Sequence, residues 1–318
     1  MPARSVSTKL WIWMKKPLLI NVVGPTAAGK TALAVRLARY LGTEIVSADS
    51  RQVYREMHIG TAVPTEAERG GIPHHLLQHR SIRQPYSVKD FEHDALQVLE
   101  KLFARYPAVV MVGGTGLYFD AVNFGLDPIP DVPPEVRTAL IRQWETEGLA
   151  PLLAELEAAD PRYYQEVDRR NPRRILRALE VIRHTGRPFS SFRTGRRHER
   201  PFRAVWIGLA PPRDVLYERI NRRVHEMDRM GLEEEVRRLY PYRHLQALQT
   251  VGYREWFPYF EGKASRKQVL DEIAKNTRRY AKRQLTWFGK NPAIRWFDPR
   301  TGYDLICQQV DEWLDAEE

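Results

Sequence analysis

The octapeptide at residues 24–31, GPTAAGKT, constrains this chain more than any other feature. It follows the apolar run 18–23 and precedes residues 32–38, whose apolar side chains recur at helical spacing. A buried strand, a glycine-rich turn and a helix in this order form a phosphate-binding P-loop. The backbone N–H groups of such a loop and the helix N-terminus converge on an anion. The motif therefore predicts a diphosphate or triphosphate site, where Lys30 adds positive charge and the Thr31 hydroxyl can hold a magnesium ion.

The charge balance points to a polyanionic partner. The 318 residues include 50 Lys and Arg against 40 Asp and Glu, which leaves a formal net charge of +10. Such an excess favours nucleic acid, although a generally basic proteome or a solubility device would also produce it. Cys307 is the single cysteine, so an internal disulfide is excluded and a reducing cytosol fits. Because no apolar stretch is long enough to span a bilayer, we expect a cytoplasmic protein without a membrane partner.

Two more segments of the first half predict buried strands that end in polar or small residues. Residues 44–50 end at Asp49 and Ser50, and residues 108–112 continue into the run GGTG that begins at Gly113. With a helix expected over 91–105, strands and helices alternate, which predicts an α/β fold with a parallel sheet covered by helices. Ligands of such sheets bind at the carboxyl ends of the strands. The glycines there permit close approach of a bulky ligand, or they form only a tight turn.

The rest of the chain indicates a mainly helical insertion in this core. Four prolines within residues 126–134 mark a boundary. Beyond it, helices are expected over 135–147, 149–157 and 172–183, then a strand at 204–209, helices at 216–225, 232–239, 266–273 and 275–288, and a last strand at 294–297. We therefore predict a flexible extension at 1–16, a P-loop core of 17–130 and 201–318, and a helical insertion at 131–200.

Asp49 is the strongest catalytic candidate outside the P-loop. A carboxylate beside a phosphate cradle can coordinate magnesium or accept a proton from a nucleophile. Its alternative role is the N-cap of a helix. The strand over 108–112 ends in glycine and threonine, where many P-loop NTPases carry an acidic residue, and this weakens an ATPase interpretation.

Arginines are concentrated in the insertion between residues 169 and 200. Arg173 and Arg177 share one helix face, which suits a phosphate backbone, although a solvated face is the alternative. A second group lies between Arg219 and Arg229, and one of its members could stabilise charge on a departing phosphate. A third basic stretch, 278–288, interleaves charge with aromatic residues and predicts either base stacking or core packing. The histidines lack a metal-ligand spacing, so no zinc site is expected.

Taken in order, the motifs of this chain resemble those of the tRNA dimethylallyltransferases, also called tRNA isopentenyltransferases. The resemblance covers nearly the whole chain from Leu18 to Phe288, with Ala28 as a minor departure where serine is frequent. It is carried by GPTAAGKT at 24–31, SADSRQVY at 47–54, IGTA at 59–62 with PT at 64–65, PHHL at 73–76, GGTGLY at 113–118, NPRR at 171–174, RVHEM at 223–227, GYR at 252–254 and KRQLTW at 282–287.

This resemblance implies that a dimethylallyl group passes from dimethylallyl diphosphate to the exocyclic N6 amine of an adenine beside the anticodon of tRNA, with release of diphosphate. It implies Mg2+ at Thr31, a monomer, and three catalytic residues: Asp49 as the base, with Arg223 and Lys30 on the diphosphate. The implied diphosphate-binding residues are Gly24, Pro25, Thr26, Ala27, Ala28, Gly29, Lys30 and Thr31. The implied tRNA-binding residues are Asp49, Ser50, Arg51, Gln52, Thr115, Arg137, Arg173, Arg174, Arg177, Gly252, Tyr253, Arg254, Lys282, Arg283 and Gln284.

Two other functions remain open on the residues alone. A P-loop kinase or NTPase acting on a small metabolite or nucleotide would explain the cradle and the magnesium. It would not explain the arginine-rich insertion. A nucleic-acid-binding module with a structural nucleotide would explain both features, but it would have no transfer activity for Asp49 to support.

Overall fold

The computed structural model describes residues 16–300 and 302–316, so the expected extension at 1–16 lies outside it except for Lys16. The chain forms two compact units: the segments up to Asn123 and from Arg200 onward make the first, and Phe124–Glu199 makes the second. The second unit begins earlier than the expected residue 131. The reason is that its first residues form hydrogen bonds with its last ones. The Phe124 carbonyl accepts from His198 N–H at 2.8 Å, and Asp127 accepts from Gly195 N–H at 2.9 Å.

A parallel six-stranded sheet organises the first unit within the described residues, in the order β3-β2-β4-β1-β5-β6. The strands are β1 (Leu18–Val23), β2 (Ile45–Ala48), β3 (His74–His75), β4 (Ala108–Gly113), β5 (Arg203–Leu209) and β6 (Ile294–Phe297). The side chains of β1, β2 and β4 are buried throughout, as helices on both faces of a parallel sheet require. The expected α/β fold with a P-loop core is thereby confirmed.

The helices were found largely where hydrophobic periodicity placed them. They are α1 (Lys30–Leu41), α2 (Glu66–Arg69), α3 (Val88–Phe103), α4 (Gly116–Phe124), α5 (Pro134–Glu147), α6 (Ala150–Ala159), α7 (Pro161–Glu166), α8 (Pro172–Thr185), α9 (Arg213–Arg229), α10 (Leu232–Leu239), α11 (Phe257–Phe260), α12 (Arg266–Phe288) and α13 (Tyr303–Asp315). No helix of the described residues is long and apolar enough to cross a membrane.

Helix α12 corrects one expectation. Two helices, 266–273 and 275–288, were expected, but the structure has one continuous helix of 23 residues. Its buried side chains Val269, Ile273, Ala281, Gln284 and Phe288 follow one face along its whole length, so one packing surface stabilises all of it. This continuity matters because the C-terminal half of α12 lies against the carboxyl edge of the sheet.

The second unit has its own hydrophobic core, formed by α5–α8 and including Leu140, Leu156 and Leu179. Asp160, 1% exposed, organises its loops. The Asp160 carboxylate accepts hydrogen bonds from Tyr163 N–H at 3.0 Å and from Ser190 N–H at 2.6 Å. A buried carboxylate satisfied by backbone donors in this way links α7 to the short 3-10 helix Phe189–Phe192 that follows α8.

Candidate functional site

A cavity of about 630 Å³ opens at the carboxyl edge of the sheet, entirely within the first unit. The P-loop, the turn after β2 and the end of β4 line one side, where the sequence placed the ligand. Helices α9 and α12 and the loops at 58–65 and 249–254 line most of the rest. Of the predicted site residues, the cavity is lined by Thr26, Ala27, Gly29, Lys30, Thr31, Asp49, Ser50, Arg51, Gln52, Arg223, Gly252, Arg254, Arg283 and Gln284.

Two helices that are distant in sequence pack against the P-loop. Ala27 and Gly29 both have positive φ angles, 64° and 94°, a backbone conformation that occurs in anion-binding turns. For Ala27 this conformation is strained. The buried Ala27 side chain packs against Ile220 of α9 and Ala281 of α12, and these contacts stabilise the strained turn.

Lys30 is the principal charge in the loop. Its ammonium donates to the Pro25 carbonyl at 2.7 Å, so the side chain curls back over the loop. Burial lowers the pKa of Lys30 to about 7; nearby Asp49 opposes this shift and nearby Arg223 adds to it. An anion bound in the loop would favour the charged ammonium and raise this pKa again.

Arg223 reaches the same loop from α9. Its guanidinium Nη1 lies 3.4 Å from the Thr26 hydroxyl, and the side chain is partly buried. Burial lowers the pKa of Arg223, while Glu68 and Glu226 act to raise it. A guanidinium remains charged at neutral pH. Once a bound anion has raised the pKa of Lys30, Lys30 and Arg223 bring two positive charges to one anion site.

Asp49 lies in a turn after β2, and no helix begins there, so the N-cap alternative is wrong. The Asp49 Oδ1 accepts from Arg51 N–H at 2.9 Å and from Gln52 N–H at 3.4 Å. These local bonds orient the carboxylate and leave Oδ2 for other partners. Beside it, Ser50 N–H donates to the Thr115 hydroxyl at 2.9 Å, which links the turns after β2 and β4.

Gly113, the last residue of β4, and Gly114 line the cavity, and both also lie against protein atoms that leave no room for a Cβ. A Cβ at Gly113 would lie 2.1 Å from the Ala48 carbonyl oxygen of the neighbouring strand, and one at Gly114 would lie 2.2 Å from Gln284 Nε2. Gln284, which is buried, accepts from Thr26 N–H at 2.8 Å and donates to the Gly114 carbonyl at 2.9 Å. It therefore ties the P-loop to the β4 turn, so its amide is engaged within the protein.

Tyr280 is a cavity residue that the sequence analysis did not single out. Its phenol lies near Thr115 and Asp49. Burial, reinforced by Asp49, raises the pKa of Tyr280 to about 12, so the hydroxyl stays protonated at neutral pH. Its place on α12, four residues before Gln284, is the sequence signal that could have identified it.

Glu235 of α10 was also missed, because its partners are remote in sequence. The carboxylate, 3% exposed, accepts from the backbone N–H groups of His58, Ile59 and Gly60 at 2.8–3.2 Å and from the Tyr253 hydroxyl at 2.6 Å. These bonds fix the loop that lines the cavity. Tyr253 itself is fully buried, so its side chain has a structural position here and no surface for RNA.

Replacing Glu235 by Gln is expected to lower the free energy of unfolding by about 2–4 kcal/mol, because the amide leaves buried N–H donors without acceptors. Denaturant titration of both proteins measures the difference. Glu234→Gln is the matched control, since Glu234 is the exposed neighbour on the same helix. Equal stability of the two variants would contradict the role of this carboxylate.

The predicted arginines of the second unit differ in their contacts. Arg137 and Arg177 both pair with the buried Glu180, at 3.2 and 3.1 Å. Arg173 and Arg174, at the start of α8, are exposed. Of the remaining predicted residues, Lys282 is exposed on α12, and Gly24, Pro25 and Ala28 are buried within the P-loop.

The donor chemistry around Thr31 fits a small hard cation. No group of three or more His, Cys, Asp or Glu side chains that could hold a metal ion occurs in the described residues. The Thr31 hydroxyl and the Asp49 carboxylate nevertheless line the cavity as oxygen donors. Mg2+ is commonly bound through few protein oxygens together with substrate phosphates, so this sparse set fits Mg2+ on a diphosphate.

Comparison with known proteins gives consistent matches. The family model described as IPP transferase matches residues 52–291. A tRNA dimethylallyltransferase from Christiangramia forsetii is 51% identical over 94% of this chain and 97% of its own length.

Solved structures agree. The tRNA isopentenylpyrophosphate transferase of Bacillus halodurans superimposes with a TM-score of 0.68 at 38% identity, covering 94% of this chain and 96% of that one. A eukaryotic dimethylallyltransferase acting on tRNA gives a TM-score of 0.77 at 24% identity, over 93% and 78% of the two chains, and shows a shared fold.

Proposed function

Because this chain belongs to the IPP transferase family, we infer that it transfers the dimethylallyl group of dimethylallyl diphosphate to the exocyclic N6 amine of an adenine beside the anticodon of tRNA. The observation that carries the assignment of roles is the convergence of Lys30, Arg223 and Asp49 on one cavity. The relatives support this transferase and not the alternative of a P-loop kinase or NTPase.

In this proposal the P-loop binds the donor diphosphate as a leaving group. The bond between the allylic carbon and the diphosphate oxygen breaks, and its electron pair leaves with the diphosphate. Negative charge therefore grows on the oxygens that face the loop N–H groups, Lys30 and Arg223. Donors preorganised for charge that develops in the transition state contribute about 3–4 kcal/mol each.

Asp49 is proposed as the general base. The adenine amine forms the new bond to the allylic carbon, and its surplus proton passes to the Asp49 carboxylate. The local hydrogen bonds to Oδ1 hold the Asp49 carboxylate in place. The protonated Tyr280 hydroxyl can donate a hydrogen bond either to the target adenine or to this carboxylate. The target adenine has to leave its stack to reach this cavity.

Mg2+, when bound, would be held by the Thr31 hydroxyl and the diphosphate oxygens, and would supply further charge neutralisation for the leaving group. The family resemblance also leads us to propose a monomer that acts in the cytoplasm. Light scattering of the purified protein measures its mass and so checks whether it is a monomer.

The pH dependence of donor binding tests the role of Lys30. Its pKa of about 7 means that it is largely neutral at pH 8, and a bound diphosphate would raise that pKa. Binding at pH 8 is then expected to take up nearly one proton, and affinity is expected to fall by up to about tenfold per pH unit above pH 7. Well below pH 7 Lys30 is charged in both the free and the bound protein and contributes no slope.

Calorimetry in buffers of different ionisation enthalpy measures this proton uptake directly. Lys30→Arg is the control, because a guanidinium stays charged and should bind the donor without taking up a proton. If the arginine variant took up as many protons on donor binding as the wild type does, the proton could not be assigned to Lys30.

Salt dependence tests the basic surface of the second unit. The double variant Arg173→Gln, Arg174→Gln removes two proposed phosphate contacts. It is expected to reduce the slope of the logarithm of the tRNA association constant against the logarithm of the salt concentration by roughly two. Arg183→Gln is the control, since Arg183 is paired with Glu155 at 2.5 Å. An unchanged slope in the double variant would remove these arginines from the RNA interface.

The direct test of the function mixes the protein, magnesium, radiolabelled dimethylallyl diphosphate and unmodified tRNA. Label is expected in the RNA, on an adenine beside the anticodon, together with released diphosphate. Steady phosphate release from ATP alone, without transfer to RNA, would contradict the proposal and favour a nucleotide hydrolase.

A further inference from the structure

A buried carboxylate joins two arginines at the surface of the second unit. Glu180 of α8 is 2% exposed and lies between the core residues Leu179 and Val181. Its Oε2 accepts a hydrogen bond from Arg177, one turn earlier on the same helix, at 3.1 Å. Its Oε1 lies 3.2 Å from Nη1 of Arg137, which comes from α5. One carboxylate therefore holds guanidinium groups from two helices.

Both guanidinium groups remain accessible, although the acid between them is not. The side chain of Arg137 is 56% exposed and that of Arg177 is 39% exposed. Arg177 is fixed a second time, since its Nη2 donates to the Pro130 carbonyl at 3.4 Å. These contacts engage one nitrogen of Arg137 and two of Arg177. Because a guanidinium has five N–H donors, each group can also bind an anion that approaches from solvent.

A carboxylate in a hydrophobic core is a costly way to stabilise a fold. The desolvation of a buried acid often cancels the energy of its ion pairs, and apolar side chains of similar volume are frequently as stable or more stable. Arginine side chains, in turn, lose rotamer freedom when they are immobilised on a partner. A carboxylate that has already fixed them removes part of this entropic cost before binding. The benefit of Glu180 is therefore expected in binding and not in stability.

The two arginines belong to a wider basic surface. Arg173 lies four residues before Arg177, on the same face of α8, and is exposed. Together with Arg137 these residues provide three cations and one buried acid at the packed surfaces of α5 and α8. Fixed guanidinium groups of this kind suit the phosphates of a nucleic-acid backbone.

We propose that Glu180 is a positioning residue for tRNA: its carboxylate holds Arg137 and Arg177 in one fixed arrangement that binds backbone phosphate. This inference rests on the proposed function, in which tRNA is the substrate. Glu180 acts only through the two arginines, because its own side chain is buried. The contact orients the RNA and carries no sequence information, since it is made to phosphate oxygens.

The sign of the change in tRNA affinity separates positioning from net charge. Glu180→Gln removes one negative charge, so a purely electrostatic role predicts tighter tRNA binding. Positioning predicts binding weakened by about tenfold, because two rotamer-rich side chains then have to be immobilised when the RNA binds. Filter-binding titration at one fixed salt concentration measures the difference.

Glu155→Gln is the matched control for charge. It removes the same negative charge from the same unit, but Glu155 pairs with Arg183, which is not among the proposed RNA contacts. Its tRNA affinity is expected to equal or exceed that of the wild type.

A second variant separates positioning from folding. Glu180→Met replaces the acid by an apolar side chain of similar length, and is expected to unfold at no lower temperature than the wild type. Its tRNA affinity is nevertheless expected to fall as in Glu180→Gln, with a higher KM for tRNA and little change in kcat. Arg137→Gln is expected to cost less tRNA affinity in the Glu180→Met protein than in the wild type, because there the arginine is no longer fixed.

Three outcomes would overturn the inference. The first is tRNA binding by both Glu180 variants that is as tight as in the wild type or tighter. The second is strict additivity of Glu180→Met with Arg137→Gln. The third is an equal loss of affinity for tRNA and for dimethylallyl diphosphate, which would indicate a merely structural role. If the wild type transferred no dimethylallyl group to tRNA, the proposed function itself would fail; normal transfer together with any of the three outcomes would refute only the positioning role.

Discussion

Asp49→Asn is expected to slow the transfer step by about 10²- to 10⁴-fold, the usual contribution of a general base. The amide cannot accept the proton that the adenine amine loses as the new bond forms. Its oxygen can still accept the Arg51 N–H, now made to Oδ1 at 2.9 Å, so the turn after β2 is expected to keep its conformation. Affinities for tRNA and for the donor are therefore expected to stay near those of the wild type.

Single-turnover transfer with saturating tRNA and donor measures this step without product release. Asp90→Asn provides the control, because the Asp90 carboxylate caps α3 through Ser87 N–H at 2.7 Å and lines no part of the cavity. That variant is expected to lose some stability but to keep the wild-type rate. A near-normal single-turnover rate in Asp49→Asn would show that another group takes the proton.

Arg223→Gln is expected to lower the same single-turnover rate by about 10²- to 10³-fold. This is the usual effect of removing one preorganised hydrogen-bond donor from a developing oxyanion. The guanidinium lies beside the Thr26 hydroxyl and is partly buried, so water replaces it poorly. Because the charge on the diphosphate grows during bond breaking, the rate should fall more than the affinity for the donor.

The adjacent arginine on α9 is a matched control for this experiment. Arg222 is exposed and pairs with Glu226 at 3.7 Å, a surface contact of small expected energy. Arg222→Gln should therefore transfer the dimethylallyl group as the wild type does. If both glutamine variants lost activity equally, the effect would arise from the overall positive charge of the helix and not from a contact with the leaving group.

Much of the site could be predicted because its parts are local. The P-loop conformation follows from the spacing of glycines and from the helix that starts at Lys30. The buried strands β1 and β4 were recognisable from continuous apolar runs. In a parallel sheet the carboxyl ends of the strands meet at one edge, so Asp49 and the β4 turn could be placed beside the loop from the sequence alone.

Other parts could not be predicted, since their partners are far apart in the chain. Glu235 contacts Ile59 across 176 positions, and Gln284 contacts Thr26 across 258. The sequence around each residue contains only a carboxylate or an amide on an amphipathic helix, which is common on exposed helices. Tyr253 shows the reverse case, because a motif match indicated RNA contact for a side chain that the fold buries against Glu235.

The amino-acid sequence alone determined the diphosphate loop, the alternation of strands and helices, and the family to which the chain belongs, because backbone dihedral preferences and hydrophobic periodicity act over a few neighbouring residues. Only the tertiary structure decided that α12 runs unbroken over the cavity, that Gln284 ties the P-loop to the β4 turn, and that Gly113 and Gly114 lie against protein atoms. Those features depend on which surfaces pack together, and packing is a property of residues brought close in space.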